Sequence, residues 1–320
     1  MTHAGRILGT ALAALGTVAA GAFAYGALVE RNRFTVRRET VPILDAGAEP
    51  VRILHLSDIH LAPWQERKQH WIRSIAQLRP DLVVSTGDNM GHLDALPVLA
   101  HTLEAFRGVP GVFVHGSNDY YGPELKNPFA YFTTGPNKPV TGGLLDTEAL
   151  EAMYGSLGWH DLNNGAVALA VKGSRLEFVG VGDPHRNFDE LHELPGILDE
   201  LREDVDWGDG RDGVEPVTIA LTHAPYQRVL NSFVNHSADL ILAGHTHGGQ
   251  VRVPGLGALV ANCDVPLDQA SGLSVWQHGR GSSFLNVSAG LGTSIFAPVR
   301  FACPPEAVLL TLTGDDFGYP

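Results

Sequence analysis

The sequence predicts an α/β fold, on three observations. Short apolar runs recur at Val51–Leu56, Leu82–Ser85, 112–115, 217–220 and 238–242, and each has the length and content of a buried strand. Every run ends in a polar cluster that holds Asp, Asn or His. Segments with helical spacing separate the first of these runs, and strand–helix alternation implies parallel pairing. In open α/β sheets, sites assemble at the carboxyl ends of the strands, where these clusters lie.

The elements follow in order. Residues 1–30 form an anchor or signal segment, because 7–29 carry no charge and are long enough to span a bilayer. Ala22-Phe23-Ala24 has the small-x-small form of a cleavage site, which leaves a signal peptide open. The apolar run continues past it and favours a retained anchor, hence a membrane partner through residues 7–29 and a membrane-associated location. Four arginines after the segment (Arg31, Arg33, Arg37, Arg38) against Arg6 before it put the domain on the cytoplasmic side, whereas a signal peptide puts it outside. Residues 31–50 read as a linker and 51–315 as the folded domain. Helices are expected over 64–78, stopped by Pro80, and over 96–106, ended by Gly108 and Pro110. Residues 123–143, rich in Pro, Gly, Asn and Lys, read as a long loop at the substrate cleft, with Tyr120, Tyr121, Phe129, Tyr131 and Phe132 offering an apolar surface or pins to the core. A short helix over 146–154 and a hairpin of 167–171 with 176–181 follow. Residues 284–287 and 307–312 are expected to add strands to a second sheet. No internal repeat is present.

The chemistry lies in the polar clusters. They are Ser57-Asp58-Ile59-His60, Thr86-Gly87-Asp88-Asn89, Gly116-Ser117-Asn118-Asp119, Thr222-His223-Ala224-Pro225 and Gly244-His245-Thr246-His247-Gly248-Gly249-Gln250. Carboxylate, amide and imidazole donors suit Mn, Fe, Zn or Mg. The glycines of the last cluster let two imidazoles one residue apart approach one site while the backbone stays close. Any one cluster also fits a bland role: Asp58 as a helix cap, Asp88 as a turn residue, His223 as a strand end. Five in sequence are a much more specific signal.

In this order the five clusters resemble the calcineurin-like metallophosphoesterase family, over residues 52–312. Residues 248–254 and 289–294 are similar to its small bacterial, membrane-associated phosphoesterases. The resemblance implies a four-layer α-β-β-α sandwich of two mixed sheets, preceded by the N-terminal hydrophobic helix, with metals at one edge. It implies two divalent metal ions as cofactors. Asp58, His60 and His247 would hold the first, Asp88 would bridge, and Asn118, His223 and His245 would hold the second. The implied catalytic residues are Asp88, Asn118 and His245. The implied reaction is hydrolysis of a phosphate mono- or diester by a hydroxide bridging two ions about 3.5–4 Å apart. A lipid-linked phosphate fits the expected anchor. No Gly-x-Ser-x-Gly or cysteine nucleophile motif suggests a covalent intermediate.

The chain departs from the family at its third motif, usually Gly-Asn-His-Asp and here Gly116-Ser117-Asn118-Asp119. Asn118 shifted by one position is the favoured ligand, since an amide oxygen binds metal better than a neutral hydroxyl; Ser117 or water is the alternative. The usual general acid is missing, and Asp119, His92 and His185 are candidate substitutes. This departure motivates a competing function, a metal-binding scaffold with little turnover, and a non-phosphate hydrolase is a third.

Composition narrows the partners. The 320 residues suffice for one large α/β domain. A net charge of −13, without a basic patch interleaved with aromatics, argues against nucleic acid. Much of the acidity lies in 190–215, which reads as a helix and a solvated loop. Two cysteines, Cys263 and Cys303, are too few for a disulfide framework, and Cys303 is expected to pack as a small hydrophobe.

Overall fold

Alternation along Val51–Leu56 sets the layering. Val51 and Ile53 join one buried cluster, while Leu54 and Leu56 join another on the opposite face, as the period of two in a strand requires. A computed structural model of the chain describes residues 3–124, 142–205 and 216–314. It begins with α1 (His3–Leu28), β1 (Thr35–Leu44), β2 (Val51–Leu56), α2 (Glu66–Ser74), β3 (Leu82–Ser85), α3 (Leu96–Leu103), β4 (Gly111–Phe113) and the one-turn α4 (Ser117–Tyr120). The middle holds α5 (Thr147–Leu157), β5 (Trp159–Asp161), β6 (Gly165–Val171), β7 (Ser174–Gly180), α6 (Leu194–Asp204), β8 (Val217–Leu221), α7 (Gln227–Asn235) and β9 (Leu240–Ala243). It closes with the small pair β10 (Arg252–Val253) and β11 (Gly257–Ala258), then β12 (Gly272–His278), β13 (Gly281–Val287) and β14 (Glu306–Gly314).

Two six-stranded sheets result, in the orders β1-β14-β2-β3-β4-β5 and β12-β13-β9-β8-β7-β6. Both are mixed: β2, β3, β4 and β5 run parallel with β14 antiparallel to β2, and β7, β8 and β9 run parallel with β6 antiparallel to β7. Val51, Ile53, Leu82, Val84, Ile219, Leu221, Leu240 and Leu242 pack between the sheets. On the outer face of the first sheet, Leu54, Leu56, Val83 and Phe113 meet Ile72, Leu99, Leu103, Leu150 and Tyr154 of α2, α3 and α5. On the outer face of the second, Val179, Ala220 and Ile241 meet Leu194, Leu198, Val229, Leu230 and Phe233 of α6 and α7. The expected four-layer sandwich of two mixed sheets is therefore present.

Most local expectations hold with shorter bounds. The first helix tightens into a 3-10 turn, Ile75–Leu78, and stops where Arg79 turns left-handed, φ 48°, before Pro80. Leu96–Leu103 ends the same way, in Glu104–Phe106. Asp146 caps α5 by accepting from the Ala149 amide, and Gly158 ends it at φ 85°. The β6–β7 hairpin turns at Lys172 and Gly173, both at positive φ (49° and 83°), the conformation that matches the twist of paired strands.

Three expectations need correction. Residues 31–50 are not a linker: β1 pairs in parallel with β14, and Val41 and Leu44 sit in the inter-sheet core. Arg37, Arg38 and Glu39 hide this strand from an apolar reading. Residues 307–312 join the first sheet, not the second, because Leu310 pairs opposite Ile53; their largely apolar run suits either sheet. Residues 7–29 fall in α1, and among the described residues no helix is long and apolar enough to cross a membrane. Alanine and glycine dominate that helix and hold its hydropathy down, so the expected membrane partner and location find no support in it. Its last turns dock instead on the domain: Tyr25 lies edge-on to Phe301, Arg300 N–H donates to Gly26 O, and Glu30, just beyond, accepts from the Cys303 amide. Phe129, Tyr131 and Phe132, with most of the expected cleft loop, and the acidic stretch 206–215 lie outside the described residues.

Candidate metal centre

The ligand loops leave the carboxyl ends of β2, β3 and β4 in one sheet and of β8 and β9 in the other. Five of their side-chain-bearing residues hold left-handed backbone: Asp58 (φ 48°), His60 (41°), Asp88 (56°), His245 (68°) and His247 (50°). Such conformations cost about 1–3 kcal/mol each and concentrate at functional sites. Cross-loop bonds hold them, with Asp58 N–H donating to Gly87 O (2.9 Å), His60 N–H to Asp88 O (2.9 Å) and His245 N–H to the Asp58 carboxylate (3.0 Å). Two glycines permit the approach. A Cβ on Gly116 would collide with Asp88 and His223, and one on Gly244 with Ser57 and Asp58.

The side chains converge into two overlapping groups, Asp58/His60/His247 and Asp58/Asp88/His223, each with donor atoms within 4.8 Å of one another. His60 Nε2 lies 3.3 Å from His247 Nε2 and 3.5 Å from Asp88 Oδ2. On the other side, His223 Nε2 lies 3.5 Å from Asp88 Oδ1 and 3.2 Å from His245 Nδ1. The far nitrogens face backbone carbonyls: His223 Nδ1 with Thr86 O (2.7 Å), His247 Nδ1 with Gly292 O (3.2 Å) and His245 Nε2 with Asn262 O (3.3 Å). A proton on each of those nitrogens turns the opposite lone pair into the cluster, the usual way of presenting imidazole to a metal. Asn118 reaches the same place, its backbone N–H donating to Asp88 Oδ1 and its Nδ2 to Asp88 Oδ2, both at 2.7 Å.

The donor chemistry fits divalent cations. Burial, opposed by Asp88 but helped by the Lys68, His223 and Arg300 charges, holds the His60 imidazole down to about 4. Burial also drives His245 and His247 well below the ordinary range, His185 adding to the first and His60 to the second. These rings are neutral lone-pair donors at neutral pH. Burial raises Asp58 to about 6, only partly opposed by His223. Burial would raise Asp88 as well, but the His223 and His60 imidazoles and the Asn118 amide hold it low. His223 goes the other way: burial opposes its charge, yet Asp88 and Asp183 lift it to about 9.

A relay from the first strand orients Asp58. Arg37 donates to Asn286 Oδ1 (3.0 Å), and Asn286 Nδ2 to His55 Nδ1 (3.0 Å). His55 Nε2 then donates to Thr86 Oγ1 (2.8 Å), Thr86 to Ser57 Oγ (2.7 Å) and Ser57 to Asp58 Oδ2 (2.6 Å). This leaves Asp58 Oδ1 for the side facing His247 Nε2, 3.6 Å away. Two buried cations brace the loops. Lys68 donates to Ile59 O (2.7 Å) and His60 O (3.3 Å), and Arg300 to the carbonyls of Ala289, Gly290 and Gly292 at 2.6–3.0 Å.

All seven expected ligands, Asp58, His60, Asp88, Asn118, His223, His245 and His247, are therefore brought together. The alternatives fare differently. Ser117 turns away and donates to Asp183 Oδ2 (2.5 Å). Asp119 is fully buried and accepts from the Asp88, Asn89 and Gly116 amides, a structural task. His92 bonds the Asp94 amide and packs on Trp64. Only His185 reaches the cluster, its ring 4.6 Å from that of His245 and its Nδ1 2.9 Å from Tyr226 Oη. Cys263 and Cys303 are free, and Cys303 is buried as expected. Sequence reasoning missed Arg37, His55, Lys68 and Arg300, which stand outside any motif.

The calcineurin-like phosphoesterase family matches residues 51–249, which span all five ligand loops. The chain belongs to this family. It is 25% identical over 312 residues to the Bacillus subtilis (strain 168) metallophosphoesterase YkuE, covering 94% of this chain and 93% of that one. It is 28% identical to an Aquifex aeolicus (strain VF5) metallophosphoesterase over 88% of this chain and 91% of the relative. The Escherichia coli (strain K12) phosphodiesterase YaeI is 25% identical over 91% of this chain and 92% of its own length. This family member is a hydrolase of phosphoric ester bonds that depends on divalent metal, with Asp and His side chains grouped to hold it.

Proposed function

We propose that the site is binuclear and hydrolyses phosphodiesters. One observation carries this reading: the two oxygens of Asp88 face opposite imidazoles, Oδ2 toward His60 and Oδ1 toward His223, each at 3.5 Å. One carboxylate with a separate donor group on either side is what a pair of ions sharing a bridge requires. Asp58, His60 and His247 would hold one ion, and Asn118, His223 and His245 the other, with Asp88 between; rotation of the Asn118 amide would bring its oxygen inward. Bound there, the ions supply hydroxide at neutral pH and neutralise phosphate oxygens. The chain's own part is positioning. The left-handed loops, the Asp58 relay and the buried Lys68 and Arg300 hold the donors in place before substrate arrives, so little reorganisation accompanies the reaction. The name of the Escherichia coli relative supports diesters as the substrate class. Retention of Asp58, His60, Asp88, His223, His245 and His247 argues against a scaffold without turnover.

The test is the full chain stripped of metal and reloaded with Mn, Fe, Zn or Mg, assayed on bis-p-nitrophenyl phosphate beside Asp88→Asn. Turnover restored by metal and lost by about 10³-fold or more in the variant is expected. Metal-loaded protein that turns over neither this diester nor p-nitrophenyl phosphate would sink the reading.

A further inference from the structure

The altered third motif has a second consequence. Ser117 donates to Asp183 Oδ2 (2.5 Å) and accepts from Arg186 Nε (3.0 Å). Asp183 is fully buried, and its other oxygen accepts from the His185 amide (2.9 Å), capping the turn Pro184–Arg186. Ser117 thus stands between the Asp183 carboxylate and the Arg186 guanidinium, bonded to both. Among the described residues no carboxylate lies within ion-pair distance of Arg186, and its two Nη groups have no protein acceptor. The guanidinium lies over the Tyr121 ring, 5.4 Å from the centroid.

Three other cations near the cluster are committed. Lys68 and Arg300 are buried and spend their N–H groups on backbone carbonyls. Arg37 is bound by Glu39, Glu306 and Asn286. Arg186 and Arg37 are both partly exposed, but of these four Arg186 alone has donors to spare among the described residues, and it is anchored to the residue next to Asn118. In a chain of net charge −13, an unneutralised cation beside a carboxylate-rich site is informative.

We propose that Arg186 is a substrate-binding residue that pairs with the leaving-group oxygen of a phosphodiester, fixed for that task by Ser117 and Tyr121. This rests on the phosphoesterase reading. As the oxygen of water, with one proton given up to solvent, bonds to phosphorus and the ester P–O bond breaks, negative charge grows on the departing oxygen. A guanidinium stays charged throughout and donates to that oxygen from a rigid plane. The departing alkoxide then takes its proton from solvent.

Arg186→Gln, Arg186→Lys and Ser117→Ala are compared with the wild-type full chain. The readouts are metal content, calorimetric affinity for inorganic phosphate, and kcat/KM on methyl p-nitrophenyl phosphate and methyl phenyl phosphate. Arg186→Gln is expected to keep its metal, bind phosphate about tenfold more weakly, and lose about 10²-fold in kcat/KM. The loss should be larger on the phenyl ester, whose leaving oxygen is more basic. Arg186→Lys should recover part of it, and Ser117→Ala should fall between. Wild-type phosphate affinity in Arg186→Gln, or an equal effect on both esters, would overturn the proposal. A wild-type protein inactive on both esters would defeat the phosphoesterase reading instead, while the phosphate affinities would still decide whether Arg186 binds anion.

Discussion

Ligand geometry here depends on residues that are not themselves ligands. A methyl group on Gly244 would collide with Ser57 and Asp58, so Gly244→Ala should lower metal content and reduce thermal stability together, read by elemental analysis and a melt. His55 gives a pH test. In the unfolded chain its imidazole takes a proton near pH 6.5; in the fold, burial and then Arg37 push this down to about 3. Between those values the unfolded state binds more protons, so stability falls as pH drops through that window, by at most about 1.4 kcal/mol per pH unit. His55→Gln should flatten the slope of unfolding free energy against pH between 6 and 4, measured by urea titration; an unchanged slope would show that His55 is not buried neutral. The ligands themselves were legible because Asp, His and Gly stand together in short motifs. His55, Lys68 and Arg300 were not, since each is a single polar residue whose partners come from distant loops.

At the scale of elements, β1 makes a sharp prediction. It supplies Val41 and Leu44 to the inter-sheet core and Arg37 to the relay behind Asp58. Deleting residues 1–44 should therefore cost several kcal/mol, given that losing a single buried aliphatic side chain costs about 2–5 kcal/mol. Urea unfolding of the shortened chain checks this; wild-type stability would show the segment to be the linker its charges suggested. The strands β2, β3, β4, β8 and β9 were readable because each is a short, mostly apolar run buried on both faces. β1 was hidden because this edge strand carries Arg37, Arg38 and Glu39 in a row, and the sheet of β14 was undecidable because an apolar run carries no partner information.

The whole molecule joins two sheets at one edge, and neither carries a complete site. The first sheet contributes Asp58, His60, Asp88 and Asn118, and the second His223, His245 and His247. Packing of the inter-sheet core therefore sets the distances between the two halves of the metal centre, and the His55–Asn286 contact ties the halves directly at 3.0 Å. A binuclear centre requires Asp88 to serve two ions at once. The direct measurement is metal titration of the stripped full chain, with ions bound per chain and turnover of bis-p-nitrophenyl phosphate read from the same samples. The account predicts saturation at two ions, with turnover appearing as the second one binds. Full turnover at one ion per chain would contradict it.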